Sequence, residues 1–288
     1  MPAVAQASTS SGHFGSRVQP EYYLALGDSL SVGVQPTRAG VDVPTSAGYP
    51  NQFYRMVQND RNYRDLRLAQ LGCPGETTTT ILDGGICGYS GDQRTSLTVA
   101  SGDQGAAALA FIAAHEGQVP LITLDIGAND LNPCIATGTI SGIEACLPGV
   151  LNTISENLAT LLGELRTADP TATILGMNYY DPELGEWLTG SAGQTFATDS
   201  VALSEAFNNT LSAVYADYEV PVADVATAFD TSDMTDQVTL PRIGTVPENV
   251  AKICTLTWEC VPAPQGPNEH ANALGYWVIA RAFYAVLR

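Results

Sequence analysis

Five apolar runs, none longer than seven residues, recur along the chain at residues 21–27, 66–72, 120–126, 173–178 and 220–225. Each is closed by turn-forming residues, and the first ends directly in a Gly-Asp-Ser turn. Short, near-continuous apolar runs read as strands buried on both faces. Between them lie segments with helical spacing at residues 49–58, 105–115, 150–167 and 199–218, the last opening on a cap at Asp199 or Ser200. Residues 272–287 form a final amphipathic helix on the same reading. Strands alternating with helices demand a parallel sheet covered on both sides, so the fold class is α/β with three α/β/α layers.

At 288 residues the chain sits near the upper size of a single hydrophobic core. Residues 20–288 are therefore expected to form a single domain, and residues 1–19 a flexible N-terminal segment. That segment contains Ala-Val-Ala and Ala-Gln-Ala, small-residue patterns like the end of a signal peptide, without the charged and apolar parts. It is read as a signal-peptide remnant of a secreted chain behind a start methionine. Residues 227–267 hold five prolines and no clear periodicity, and are expected to form an ordered, disulfide-pinned loop leading to His270.

Charge removes several classes of partner. Thirty acidic residues face twelve basic ones, for a net charge of −18. Such a surface offers little to phosphate backbones or anionic membranes, so no nucleic-acid partner is expected. No apolar run approaches the roughly 18 residues of a membrane span, so no integral membrane segment is expected. Lys252 is the only lysine, which leaves almost no material for Schiff-base chemistry or a P-loop. No cofactor and no metal are expected.

The six cysteines fall in three local pairs: Cys73 with Cys87, Cys134 with Cys146, and Cys254 with Cys260. None has the C-x-x-C spacing of a zinc ribbon or redox site. An even number in separated near-neighbour pairs points to three disulfides and an oxidising compartment; the alternative is six buried free thiols. Six cysteines allow fifteen connectivities, and locality alone favours the nearest-neighbour one.

Ligands of open α/β sheets bind beyond the carboxyl ends of the strands, and three turns there carry polar groups suited to acyl transfer. Gly27-Asp28-Ser29-Leu30 follows the first strand and can present an exposed serine with its own N–H facing a developing oxyanion. Gly72-Cys73-Pro74-Gly75-Glu76-Thr77 follows the second, where Gly75 permits close backbone approach and offers another N–H. Gly127-Ala128-Asn129-Asp130 follows the third, and the Asn129 amide is a third donor. His270, just before the last helix, can be delivered to the serine as general base. His13 and His115 are poorer candidates, one in the loose N-terminal segment and one ending a surface helix. Each element alone has an ordinary structural reading; their conjunction in one chain order does not.

With those residues in view, the chain resembles the GDSL, or SGNH, hydrolases, and in particular secreted actinobacterial esterases and lipases with three disulfides. The resemblance rests on Leu26-Gly27-Asp28-Ser29-Leu30-Ser31, Leu71-Gly72-Cys73-Pro74-Gly75-Glu76-Thr77, Ile126-Gly127-Ala128-Asn129-Asp130 and His270-Ala271-Asn272-Ala273-Leu274-Gly275-Tyr276. It implies a flavodoxin-like fold with a five-stranded parallel sheet in order 2-1-3-4-5. It implies Ser29 as nucleophile, His270 as base, and an oxyanion hole built from the Ser29 N–H, the Gly75 N–H and the Asn129 side chain. Family relatives with local cysteine pairs also favour the bridges Cys73–Cys87, Cys134–Cys146 and Cys254–Cys260.

One departure stands out. The family usually has an aspartate three residues before the histidine, and here that residue is Pro267. Such an acid accepts the Nδ1–H, fixes the tautomer and stabilises the imidazolium. A backbone carbonyl can do the first two, so a Ser29–His270 dyad is expected, with the Pro267 carbonyl as orienting acceptor. Asn268 is a weaker alternative acceptor, and Glu269 is expected to point away from the ring. The catalytic centre would then contain no carboxylate.

The expected substrate is a small-molecule or lipid ester, with fatty acyl esters foremost and a monomeric enzyme acting on them. Pocket walls are expected from residues 32–49, from the loops 73–87 and 134–146, and from residues 179–197 with Trp187. A carbohydrate-directed acetyl esterase would use the same residues. A non-catalytic secreted binding protein with a vestigial site is supported only by the missing aspartate.

Overall fold

A computed structural model of the protein describes residues 20–59, 63, 66–87 and 102–287. The expected flexible segment 1–19 lies outside the described residues. In chain order the main elements are β1 (Glu21–Gly27), α1 (Tyr49–Val57), β2 (Leu66–Gln70), α2 (Gln104–Ala114), β3 (Leu121–Asp125) and α3 (Ile140–Ala168). They continue with β4 (Thr173–Met177), α4 (Ser191–Asp217), β5 (Val222–Ala223), α5 (Glu248–Leu256) and α6 (Ala273–Val286). The five strands form one parallel sheet in the order 2-1-3-4-5.

The strands pair because their side chains are apolar on both sides. Leu24, Leu26, Leu121, Ile122, Leu124, Ile174 and Leu175 are all fully or almost fully buried. Helices α1 and α6 pack on one another, with Tyr49 and Phe283 stacked at 4.7 Å between ring centroids. Helices α2, α3 and α4 pack in sequence and cover the sheet's other face. The order 2-1-3-4-5 reverses direction next to β1, so a crevice opens where β1 and β3 end.

Four of the expected boundaries move. Helix α3 begins at Ile140, well before residue 150, because Thr139 accepts the Gly142 N–H and caps it there. Helix α4 begins at Ser191 behind Gly190 rather than at an Asp199 or Ser200 cap; Ser200 is buried inside it, donating to Asp181 Oδ2 at 2.6 Å. Strand β5 is only two residues long. Residues 227–267 are not one loop: they contain an antiparallel hairpin, Gln237–Leu240 with Gly244–Pro247, followed by α5. Periodicity hides α5 because polar Asn249 is one of its buried residues, donating to the Thr231 carbonyl at 3.0 Å.

All six cysteines are bridged, as Cys73–Cys87, Cys134–Cys146 and Cys254–Cys260. The pairing favoured by locality is the one present.

Candidate active site

The site begins where β1 stops. Gly27 has φ +134°, and a Cβ there would stand 2.0 Å from the Asp125 carbonyl oxygen, so only glycine permits this approach to β3. Buried Gln104 clamps the same residue from α2, accepting the Gly27 N–H at 2.6 Å and donating to its carbonyl at 2.9 Å. The strand end is thus held on both of its backbone groups.

Asp28 then turns the chain. Its carboxylate accepts the Leu30 N–H at 2.8 Å and the Tyr179 hydroxyl at 2.9 Å, while its own N–H donates to the Asp125 carbonyl at 3.0 Å. The aspartate side chain closes a local turn two residues on, which leaves Ser29 at the corner. Ser29 keeps ordinary helical angles, φ −62° and ψ −27°, at the head of a single 3-10 turn over Leu30–Val32. Beneath it, burial and the neighbouring Asp28 charge push the Asp125 carboxyl well above the usual carboxylate range. Asp125 Oδ1 accepts the Tyr49 hydroxyl at 2.5 Å.

The loops after β2 and β3 are joined to each other. Asn129 donates one amide hydrogen to the Glu76 carbonyl at 2.9 Å, and its oxygen accepts from Asn132 at 3.4 Å. The other amide hydrogen is left for a ligand. Asp130 binds both the N–H and the hydroxyl of Thr78, at 2.7 and 2.6 Å. Gly75 has φ +84° with open space where a Cβ would lie, so its backbone conformation, not crowding, calls for glycine. Among the described residues, the backbone N–H groups of Ser29 and Gly75 have no acceptor. Unpaired backbone donors are unusual at buried positions, and Ser29 is only 9% exposed.

His270 arrives from the other end of the chain. Its carbonyl accepts the Trp258 N–H at 3.0 Å, and Asn272 caps α6 while donating to the Thr255 and Thr257 carbonyls. Its Nδ1 lies 2.9 Å from Asn268 Oδ1, and the same oxygen accepts the His270 backbone N–H at 3.1 Å. This corrects the expectation of a Pro267 carbonyl at Nδ1. An asparagine two residues ahead folds its side chain back onto the chain in an Asx turn and occupies the position first. Asn268 Nδ2 in turn donates to both Asp42 oxygens, at 3.0 and 3.2 Å.

The two ends of Asn268 fix the proton on His270. Ionised carboxylate oxygens only accept, so the nitrogen end must face Asp42 and the oxygen end must face the ring. That oxygen also only accepts, so Nδ1 carries the hydrogen and Nε2 keeps a free lone pair. Burial lowers the His270 pKa below the ordinary imidazole value, with the Glu269 and Asp42 charges opposing. The ring is therefore a neutral base near pH 7. The expectation of a centre without carboxylates is corrected as well, because Asp42 Oδ2 lies 3.7 Å from Nδ1.

Ser29, Asn129 and His270 line one cleft. Gly75 is not among the lining residues, and reaches the site through Glu76, its neighbour in the chain. The cleft walls are largely apolar, with Leu131, Ile135, Ile143, Leu147, Leu203 and Phe207 prominent. Residues 134–146 and 179–183 contribute as expected, whereas residues 32–49, the 73–87 loop and Trp187 do not. The sequence does not mark the wall supplied by α4, because Leu203 and Phe207 look like ordinary core positions of a helix. Nor does its local sequence mark Gln104, and the expected wall segments 32–49 and 179–197 contain Asp42 and Tyr179 without singling them out.

Asp181 and Glu183, which line the cleft, form an acidic group with Glu259 that is largely withdrawn from water. Burial pushes Asp181 up to about 6. Burial and neighbouring carboxylates push Glu183 and Glu259 each up to about 7.

Among curated proteins, no sequence matches the chain. Among solved structures, an extracellular lipase from Streptomyces rimosus is similar over 91% of this chain and 99% of its own, at 18% identity and TM-score 0.55. The lipase Lip_vut3 from a goat rumen metagenome covers 93% and 97%, at 16% identity and TM-score 0.55. An acetylxylan esterase from Geobacillus stearothermophilus covers 92% and 93%, at 16% identity and TM-score 0.51. At such identities these likenesses concern the fold. The sequence profile of the GDSL-like lipase/acylhydrolase family matches residues 25–278, from the end of β1 through Ser29, Asn129 and His270 into α6, and the chain belongs to that family of carboxylic ester hydrolases.

Proposed function

We propose that the protein is a secreted serine esterase or lipase that hydrolyses fatty acyl esters through an acyl-enzyme on Ser29. The observation that carries this reading is the convergence of Ser29, Asn129 and His270, from three distant segments, on one apolar cleft. His270 Nε2 takes the Ser29 proton as Oγ attacks the ester carbonyl carbon. The resulting oxyanion is received by the Ser29 N–H, the Gly75 N–H and the free amide hydrogen of Asn129. The tetrahedral intermediate collapses, the C–O bond to the alcohol breaks, and His270 returns the proton to the departing oxygen. Water then gives a proton to Nε2 as its oxygen attacks the acyl carbon; the second tetrahedral intermediate breaks its bond to Oγ, which takes the proton back from His270, and the acid is released. Three disulfides support an oxidising compartment, and no described helix is long and apolar enough to cross a membrane.

The apolar walls favour an acyl chain over a sugar. A second reading, removal of acetyl groups from carbohydrate, draws on the fold likeness to the acetylxylan esterase. A p-nitrophenyl ester panel from acetate to palmitate separates the two readings. Activity rising from acetate to medium or long chains supports the acyl reading, and activity confined to acetate supports the other. Loss of all turnover in Ser29→Ala is expected under both.

A further inference from the structure

A general base that becomes an imidazolium is helped by a nearby negative charge, and the position three residues before His270 holds Pro267 instead. The negative charge that reaches the ring through a hydrogen-bonded relay comes from far away in the chain. Asp42 sits on a short antiparallel ribbon, Gln35–Pro36 with Asp42–Val43. That ribbon is docked against the segment leading to His270 at several points. Trp258 Nε1 donates to Gln35 Oε1 at 3.3 Å, and a Cβ on Gly40 would stand 2.0 Å from the Pro264 carbonyl oxygen. From α6, the Tyr276 hydroxyl donates to the Val34 carbonyl at 2.8 Å. Asp42 is therefore delivered to Asn268 by a built contact between two segments, with both carboxylate oxygens engaged by Nδ2.

We propose that Asp42 supplies the hydrogen-bonded charge behind His270 from the opposite end of the chain, acting as a positioning residue through the Asn268 amide. It locks the amide orientation, and through it the Nδ1–H tautomer, and its charge stabilises the imidazolium formed as Ser29 attacks. This rests on the Ser29–His270 reading above.

Other ionisable groups face the same ring. Glu269 is adjacent in the chain and its charge favours imidazolium more strongly than that of Asp42. It makes no hydrogen bond to the ring or to Asn268 among the described residues, so it contributes charge without fixing orientation. Tyr180, held neutral by burial, donates to the Glu269 carbonyl at 2.7 Å. Asp28 and Glu183 line the same cleft from the β1 end and from the segment after β4.

The test is the pH profile of kcat and kcat/KM for Asp42→Asn, Glu269→Gln and the exchanged pair Asp42→Asn with Asn268→Asp. The amide oxygen introduced by Asp42→Asn can still accept from Asn268, so the single variant removes charge while keeping geometry. Because the Asp42 carboxylate is partly exposed, the expected loss in plateau kcat is about tenfold, with KM little changed. The acid limb of kcat/KM moves to lower pH, since removing a negative charge makes the ring harder to protonate. The exchanged pair places a carboxylate on Nδ1 with an amide behind it, and restores kcat to within about threefold of wild type. Wild-type kcat and an unmoved acid limb in Asp42→Asn overturn the assignment, as does an exchanged pair no better than the single variant. A serine-reactive phosphonate keeps the two levels apart. If it does not label wild-type Ser29, the parent reading fails; if it labels Ser29 while Asp42→Asn is unaltered, only the role of Asp42 fails.

Discussion

Nδ1 of His270 stands 2.9 Å from Oδ1 of Asn268, and the same amide oxygen receives the His270 backbone N–H at 3.1 Å. One side chain thus sets both the position of the residue and the tautomer of its ring. Asn268→Ala removes the acceptor from both. It is expected to lower kcat by about 10²–10⁴-fold with a much smaller change in KM, the upper figure being the effect of the wrong tautomer in a serine protease. Steady-state kinetics on a soluble p-nitrophenyl ester checks this, and an unchanged kcat contradicts it.

Asn129 is anchored at both ends, to the Glu76 carbonyl and to Asn132, with one hydrogen left over. Asn129→Ala is expected to lower kcat about 10²–10³-fold while leaving KM near wild type, because the bond is made in the transition state. Asn129→Asp places negative charge where the oxyanion forms and is expected to be worse. If both variants turn over like wild type, the donor lies elsewhere.

On the acyl-ester reading, the wall that α4 contributes through Leu203 and Phe207 is expected to set the chain-length preference. Leu203→Trp narrows the cleft that Ile143 and Leu147 also line, and is expected to shift the optimum of an ester panel toward shorter chains. A parallel loss on all chain lengths would instead indicate that Leu203 acts on folding alone.

Stability has a defined pH slope. Asp181, Glu183 and Glu259 titrate in the folded protein at about 6, 7 and 7, above their ordinary values of 3.8, 4.5 and 4.5. Between about pH 4 and 7 the folded state therefore holds protons that the unfolded chain has released. Their contribution is full below that window and is lost as pH rises through it. His270, with its lowered pKa, acts with the opposite sign below its ordinary value but is one group against three. Tm is expected to fall from pH 5 to pH 8, and Glu259→Gln is expected to flatten the slope and raise Tm at pH 8. A Tm that climbs steadily over that range in both proteins contradicts the assignment.

Much of this site is legible in the sequence because its parts are local. Ser29 and Asn129 sit in turns that end buried strands, and the conjunction of those turns with a histidine before the last helix marks them. The sheet order and the three nearest-neighbour disulfides follow from family resemblance and short spacing. What stays hidden depends on segments meeting in space. Asp42 gains a role only because its ribbon packs on the segment leading to His270, and no pattern within either segment encodes that. Gln104 lies just outside the expected helix 105–115 and carries no mark until Gly27 is seen beside it. Asn268 is intermediate: its spacing of two from His270 is the signature of an Asx turn, which outweighs a proline carbonyl as the acceptor.

A covalent acyl-enzyme at Ser29 is the central claim. Intact-mass spectrometry after treatment with an alkyl p-nitrophenyl phosphonate tests it, because Oγ attack at phosphorus releases p-nitrophenol and leaves the phosphonyl group on the protein. The expected result is a single addition on wild type, mapped to the peptide containing Ser29, no addition on Ser29→Ala, and slow addition on His270→Ala. Addition to Ser29→Ala at the wild-type rate, or none to an enzyme that turns over esters, would contradict the central claim.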